Sequence, residues 1–382
     1  MKYSNNEIST YLFCAQLAQT KTTPLTIIEW NAVVKSLSEH RLEPEALLSM
    51  SIKELENTLT QATSTQRKKI IQKIEARQKL GISMVELEEI VNQGYGIMFR
   101  SHMPPRLKKL TQKYVPAFFY YAGDPSILSH STLGVVGARN ASQEELTLTA
   151  QIGMKAAQYG VVIISGGARG VDTTAVEATL QNGGKAVIFP SDGLAKWVKK
   201  RETRNYLLNG QLLLMSTQQL NATFTGSYAM QRNKFIHAPS DAVLVASSKV
   251  SGPKSSGTWE GVQENLKMQW SPIYVIGNSE GVSRLLSEGN AKPFSTFEEL
   301  LKEKNTSKRI HADNFDSKAK EVIQFAIDKG MDREAIEKKF ADTLAKYFKK
   351  DDRKANGTLG HLYDPVDTEQ LSIEEVIKED SN

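Results

Sequence analysis

The sequence predicts an α/β protein, with a mainly parallel sheet between two layers of helices and a helical region on either side. Two observations carry this. Between about residues 115 and 300, seven short and nearly all-apolar runs alternate with amphipathic segments, the pattern of strands buried on both faces and joined by crossover helices. Outside that block, apolar residues recur at three- and four-residue spacing, which lays them on one face of a helix.

The first region runs from residue 7 to about 97, and its segments "LTIIEWNAVVKSLSEH", "LEPEALLSMSIKELENTL" and "GISMVELEEIVNQGY" all show helical spacing. Paired prolines in "SHMPPRLKKL" end that pattern, because proline lacks the amide a helix needs and holds the residue before it extended. Strands are then expected at "AFFYYAGD", "LGVVGAR", "GVVIISGG", "AVIFPSD", "QLLLMS", "AVLVASS" and "PIYVIGN". Helices are expected between them at "EELTLTAQIGMKAAQYG", "VDTTAVEATLQNGG" and "TWEGVQENLKMQW". This order is that of a Rossmann-like three-layer domain. Past residue 310, "SKAKEVIQFAIDKG" and "DREAIEKKFADTLAKYF" return to helical spacing. The expected division is a helical N-terminal domain over 1–100, a Rossmann-like domain over 101–305, a small helical region over 306–355 and an acidic, partly extended tail over 356–382.

Composition narrows the function classes. The 382 residues carry 48 lysines and arginines against 43 acidic residues, a net charge of +5. The excess is modest but uneven: "QRKKIIQKIEARQK", "PPRLKKLTQK" and "KWVKKRETR" are basic, whereas "IEEVIKED" near the end is acidic. Cys14 is the single cysteine, which excludes an intrachain disulfide and a cysteine metal cluster. The first residues lack a sustained apolar segment and no stretch approaches membrane-spanning length, so a cytoplasmic protein without membrane contact is expected. The six histidines show no metal-ligand spacing, and Ser165 lacks the flanking pattern of a nucleophile elbow. Asp172 and Glu177 lie five apart on one predicted helix, a poor spacing for acid and base to face one point. The expectation is a binding protein and not an enzyme, with no catalytic residue, metal or cofactor.

Chemistry concentrates in the loops that follow the strands. "VVGARNAS" and "IISGGARGVD" each place small residues and one arginine where a strand empties into a helix, at the sheet edge where ligands bind in such folds. Glycine lets backbone approach a phosphate closely, and helix-start amides point outward to receive the anion. Gly166, Gly167 and Gly170 are expected to shape the second turn, with Ser165 beside them, and Arg139 and Arg169 to bond phosphate oxygens. Asp172 is expected to cap the following helix or to orient a neighbouring arginine. Further charge is expected from Lys196, Lys199 and Lys200, and from Arg232, Asn233 and Lys234. Phe235, Tyr228 or Trp197 could stack on unpaired bases. Ser256, Gly257 and Thr258 open another anion-friendly helix. Neither a phosphate-loop lysine nor a strict dinucleotide fingerprint is present, which disfavours ATP hydrolysis and dinucleotide redox chemistry.

These loops, in order, resemble the DprA/Smf family of DNA-processing proteins. "PPRLKKL" with "VPAFFYYAGD" is similar to the family's opening segment, and "GVVGARNAS" to its V-G-S-R-x-x-S. "GVVIISGGARGVDTTAVEATLQNGGKAVIFPSDGL" is similar to its S-G-x-A-x-G-I-D-x-x-A-H and the next strand, and "QRNKFIHAPSDAVLVASS" to its R-N-R-I-I-x-x-L-S. "SSGTWEGVQENLKMQWSPIYVIGN" stands at its last helix and closing strand. The resemblance implies a homodimer that binds single-stranded DNA in a positive pocket and hands it to a RecA-type recombinase, without catalysis. It departs from the family at Val176, where a histidine is usual, and at Lys234, where an arginine is usual. A specialised or defence role is therefore also open. The alternative within the same broad fold is a nucleotide-binding sensor or a LOG-like phosphoribohydrolase, because "SSGTWEG" partly resembles the LOG motif; Gly261 stands where that family has its catalytic glutamate.

Overall fold

The computed structural model describes residues 3 to 302, apart from 18, 19, 79, 81, 82, 111 to 113 and 251 to 255. The expected helical region at 306–355 and tail at 356–382 lie outside the described residues. Met1–Phe297 forms one compact unit.

Its N-terminal part contains α1 (Asn5–Cys14), α2 (Ile27–Glu39), α3 (Ile52–Thr58), α4 (Ser64–Gln78) and α5 (Ser83–Asn92), with a 3-10 turn over Pro44–Leu48. The starts of α1, α2 and α3 are fixed by capping boxes, Ser4 with Glu7, Thr26 with Glu29 and Ser51 with Glu54, in which each side chain bonds the other residue's free amide. Such short helices are marginal in isolation. Burial holds them: Tyr11, Leu12 and Phe13 of α1 are all enclosed, each worth about 1.5–3 kcal/mol. Arg77 of α4 is fully buried and acts as an internal clamp, donating to the carbonyls of Leu12, Ala15 and Thr22 at 2.6–2.7 Å.

Among the described residues the remainder is built on nine strands, β1 (Gly96–Phe99), β2 (Phe118–Gly123), β3 (Thr132–Val136), β4 (Val162–Ser165), β5 (Ala186–Ile188), β6 (Leu212–Ser216), β7 (Ala242–Val245), β8 (Ile273–Val275) and β9 (Lys292–Pro293). Between them lie α6 (Pro105–Lys108), α7 (Gln143–Gln158), α8 (Val171–Gln181), α9 (Leu194–Val198), α10 (Arg201–Leu208), α11 (Gly226–Gln231), α12 (Lys234–His237), α13 (Gly257–Met268) and α14 (Glu280–Ser287). The strand order is β1-β2-β6-β5-β4-β3-β7-β8-β9, parallel except for the β1–β2 and β2–β6 pairs. Every residue of β3 to β8 is buried, because helices cover both faces, and this is why those runs are almost uniformly apolar.

All seven expected strands are present; β1 and β9 were not anticipated. β1 falls inside the region expected to be a separate helical domain, where it pairs antiparallel with β2, Gly96 opposite Tyr121 and Phe99 opposite Phe118. The expected boundary at residue 100 therefore cuts a sheet. The helical part also packs on β2, with Tyr11 5.5 Å from the Phe118 ring and 6.4 Å from the Tyr120 ring. Part of the expected basic surface is internal too: Arg106 donates to Thr132, Pro239 and His130 at 2.6–2.9 Å and ties α6 to the start of β3.

β3 has β4 on one side and β7 on the other, so the chain winds outward in two directions from this pair. The crevice outside the carboxyl ends of β3 and β7 is the topological switch point, where open α/β sheets hold ligands.

Replacing Arg77 by alanine would strand the enclosed carbonyls of Leu12 and Ala15, release that of Thr22 and open a cavity. The expected loss is on the order of 3 kcal/mol, measurable as a lowered midpoint in denaturant unfolding.

Candidate nucleic-acid interface

Three backbone segments meet at the switch point. The loop after β3 runs from Gly137 to Ser142, where Ser142 and Glu145 form a capping box at the start of α7. The loop after β4 is Gly166–Gly170. It lies against the first because Gly170 adopts φ +92°, and a side chain there would begin 2.5 Å from the Ala138 carbonyl and 2.6 Å from that of Arg139. The third is the start of α13. Ser256 is its N-cap, accepting from the Trp259 amide at 3.1 Å, and Thr258 donates to the Gly137 carbonyl at 2.9 Å. Gly257 is exposed at the first helical position.

Arg139 and Arg169 stand exposed on this edge. Arg169 donates to the Asn140 side chain at 2.6 Å, which bridges the first two loops, and the Arg139 guanidinium lies 5.6 Å from the Phe224 ring centre. Both retain free N–H directions for phosphate oxygens, since a guanidinium carries five donors.

Beneath the second loop the charges are internal. Asp172 is 5 % exposed and Arg232 9 %, and they face each other with 3.8 Å between Oδ2 and Nη2. Burial pushes the Asp172 carboxyl up and pulls the Arg232 guanidinium down, each offset by the other's charge. The Asp172 carboxylate also accepts from the Ala168 amide at 3.3 Å. Gly170, not Asp172, is the N-cap of α8; the aspartate sits in the first turn and braces the loop against the arginine. Arg232 occupies the space a side chain at Gly166 would need, its Nη1 only 1.1 Å from that Cβ position. Ser165 is buried and donates to the Val135 carbonyl at 2.8 Å.

The lysine run follows β5. Lys196 pairs with Asp192 at 3.3 Å, Lys200 lies 4.9 Å from the Trp197 ring and Lys199 is exposed. Trp197 donates to Asp192 at 2.7 Å and its ring fills the space beside Gly167, where a Cβ would fall 2.4 Å from it. The indole is thus an anchor joining α9 to the glycine turn. After β6, Asn233 donates to the Gly257 carbonyl at 2.8 Å, and Lys234 lies half-buried, 4.8 Å from the Tyr114 ring, its ammonium pKa lowered by burial. Phe235 corrects an expectation: it is enclosed among Phe119, Phe189 and other core side chains and presents no face for a base. Tyr228 is half-buried in the wall of an open pocket that also touches Ile27, Pro190, Thr217 and Lys234.

All fifteen expected phosphate-site residues therefore lie at the carboxyl ends of β3 to β7, but they divide by direction. Arg139, Arg169, Lys196, Lys199, Lys200 and Gly257 face solvent, whereas Ser165, Gly166 and Arg232 are buried. Gly167, Gly170, Asn233, Lys234, Ser256 and Thr258 are intermediate, and most are committed to joining loops. Sequence reasoning missed Asn140, Asp192 and Phe224. Phe224 carried a readable signal, a lone aromatic in the otherwise small and polar "NATFTGS".

Among the described residues no group of three histidine, cysteine or acidic side chains converges for a metal. His237 is 1 % exposed; burial and the Arg232 charge lower its pKa to about 3. Gly261 packs against Asn233 and His237, with both side chains 3.1 Å from where a Cβ would sit.

Two stability measurements test this geometry. Asp172→Asn removes the counter-charge of a buried arginine and is expected to cost about 3–5 kcal/mol, while adding Arg232→Met should recover much of the loss; urea unfolding of both variants reads the difference. The buried His237 stays neutral in the folded chain, whereas the unfolded chain takes up a proton near pH 6.5. Stability is therefore full above that pH and falls as pH drops from it toward 3, by about 1.4 kcal/mol per unit where the slope is steepest. In His237→Gln the thermal midpoint should depend less steeply on pH between about 6 and 4.

Comparison with known proteins agrees with this architecture. Residues 96–305 match the family described as DNA recombination-mediator protein A. A curated relative, DNA processing protein DprA of Streptococcus pneumoniae, is 28 % identical over 195 residues, which are 49 % of this chain and 67 % of the relative. The crystal structure of the Streptococcus pneumoniae protein superposes with a TM-score of 0.58 at 21 % identity, covering 79 % of this chain and 99 % of that one. A structure of DNA processing protein A of Helicobacter pylori, described for its single-stranded DNA binding mode, gives 0.45 at 22 % identity over 56 % of this chain and 94 % of that one. With more than half its length matched in that order of strands and loops, the chain belongs to the DNA recombination-mediator protein A family.

Proposed function

We propose that the chain binds single-stranded DNA without sequence preference, the phosphate backbone lying along the carboxyl edge of the sheet. The observation that carries this reading is the pair Arg139 and Arg169, exposed on two loops that Gly170 and the Arg169–Asn140 bond lock together at the switch point. Lys199 and the start of α13 extend the same edge, and membership of a recombination-mediator family supports a DNA ligand. In this reading the buried Arg232 and Asp172 do not touch DNA; they hold the loop that does.

Phosphate contacts fix a strand in place but carry no base information, so the expected binding is uniform across sequences. The reading extends to a cytoplasmic homodimer that passes the bound strand to a RecA-type recombinase. No helix among the described residues is long and apolar enough to cross a membrane.

Salt titration of binding to labelled oligonucleotides tests the proposal. Affinity should fall steeply as salt rises, by a slope of about 0.7 per phosphate contact on single strands. Arg139→Ala and Arg169→Ala should each flatten that slope by about one contact and weaken all sequences alike. Absence of binding at low salt overturns the reading.

A further inference from the structure

The loop between β6 and α11 carries a feature for which phosphate binding has no use. Phe224 is 49 % exposed in a stretch whose other residues are small or polar. Its ring lies under the Arg139 guanidinium at 5.6 Å. Met230, at the end of α11, is 41 % exposed, with its sulfur 3.3 Å from where a side chain on Gly257 would begin. Two large apolar side chains thus stand in solvent beside backbone and charge suited to a phosphate.

We propose that Phe224 is the base-stacking residue of this edge and the source of its preference for unpaired strands. The proposal rests on the reading of the edge as a DNA-binding surface. Phosphates are present in single strands and duplexes alike, so Arg139 and Arg169 by themselves do not tell the two apart. A base inside a duplex has both faces covered by its neighbours, whereas an unpaired base has a face to offer, and an aromatic ring accepts any base because every base has a π-face. Of the aromatics expected to stack, Phe235 lies in the core and Trp197 is held by Asp192, Gly167 and Lys200, while Tyr228 is half-buried in a pocket wall and less exposed than Phe224. Arg139 places positive charge beside the Phe224 ring, so a phosphate held there brings its own base to the ring.

The test is fluorescence anisotropy of the full chain with three probes of equal length: an oligothymidylate, an abasic strand and a duplex. Phe224→Ala is expected to weaken oligothymidylate binding by about 5- to 150-fold, the range for loss of one stacked base. Its salt slope, and its affinity for the abasic strand and the duplex, should stay as in the unsubstituted protein. Phe224→Trp should retain the preference for the base-bearing strand, and Arg139→Ala should weaken all three probes. Equal losses on thymidylate and abasic strands, or no loss on either while the unsubstituted protein binds with a steep salt dependence, overturn the stacking role alone. An unsubstituted protein that binds none of the probes at low salt overturns the underlying reading and this inference with it.

Discussion

The buried contact between Asp172 and Arg232 is the constraint from which the geometry of the edge follows. Two opposite charges, each more than nine-tenths enclosed, are held together under a turn of five residues. Removing either charge from water is costly, so each is tolerable only while the other stays in place. That requirement fixes the β4 loop from below through Asp172, and fixes the α11–α12 segment through Arg232. Gly166 makes the approach possible, because the guanidinium fills the volume that any side chain at that position would need. Gly166 is thus set by an arginine inside the protein, as Gly167 is by the Trp197 ring and Gly170 by the backbone of the β3 loop.

A second tier of contacts distributes that rigidity sideways. Thr258 fastens the start of α13 to the β3 loop, Asn233 fastens it to α12, and Trp197 fastens α9 to the glycine turn through Gly167 and Asp192. The exposed arginines and lysines project from backbone that is already ordered before any ligand arrives, so binding forfeits side-chain freedom but little loop entropy.

The central strands were legible because burial on both faces leaves a local mark, an unbroken apolar run. β1 left no such mark. Its four residues "GIMF" read equally well as the end of a helix, and what makes them a strand is the neighbouring β2. β9 is two exposed residues, below any threshold of pattern. At the site, the glycine turns and the position of each basic residue at a strand's carboxyl end were visible, but the direction of the charges was not. Arg77, Arg106 and Arg232 are all turned inward, and in each case the reason is a set of carbonyls or a carboxylate far away in sequence, from Leu12 and Thr22 for Arg77 to Asp172 for Arg232. Composition counts such residues as surface charge. The potential of the edge is correspondingly smaller than its arginine and lysine content suggests, and Lys196 is further offset by Asp192.

The antiparallel pairing of β1 has a consequence for how this chain tolerates being cut. The change in composition at the paired prolines invites a break near residue 100, just past Phe99. Such a break would strip β1 from β2 and leave a six-residue strand rich in aromatics with a bare row of amides and carbonyls. An edge of that kind is a template for pairing with another copy of itself. β1 therefore pairs the row of amides and carbonyls that β2 would otherwise present, and the α1 aromatic Tyr11 covers the rings of Phe118 and Tyr120.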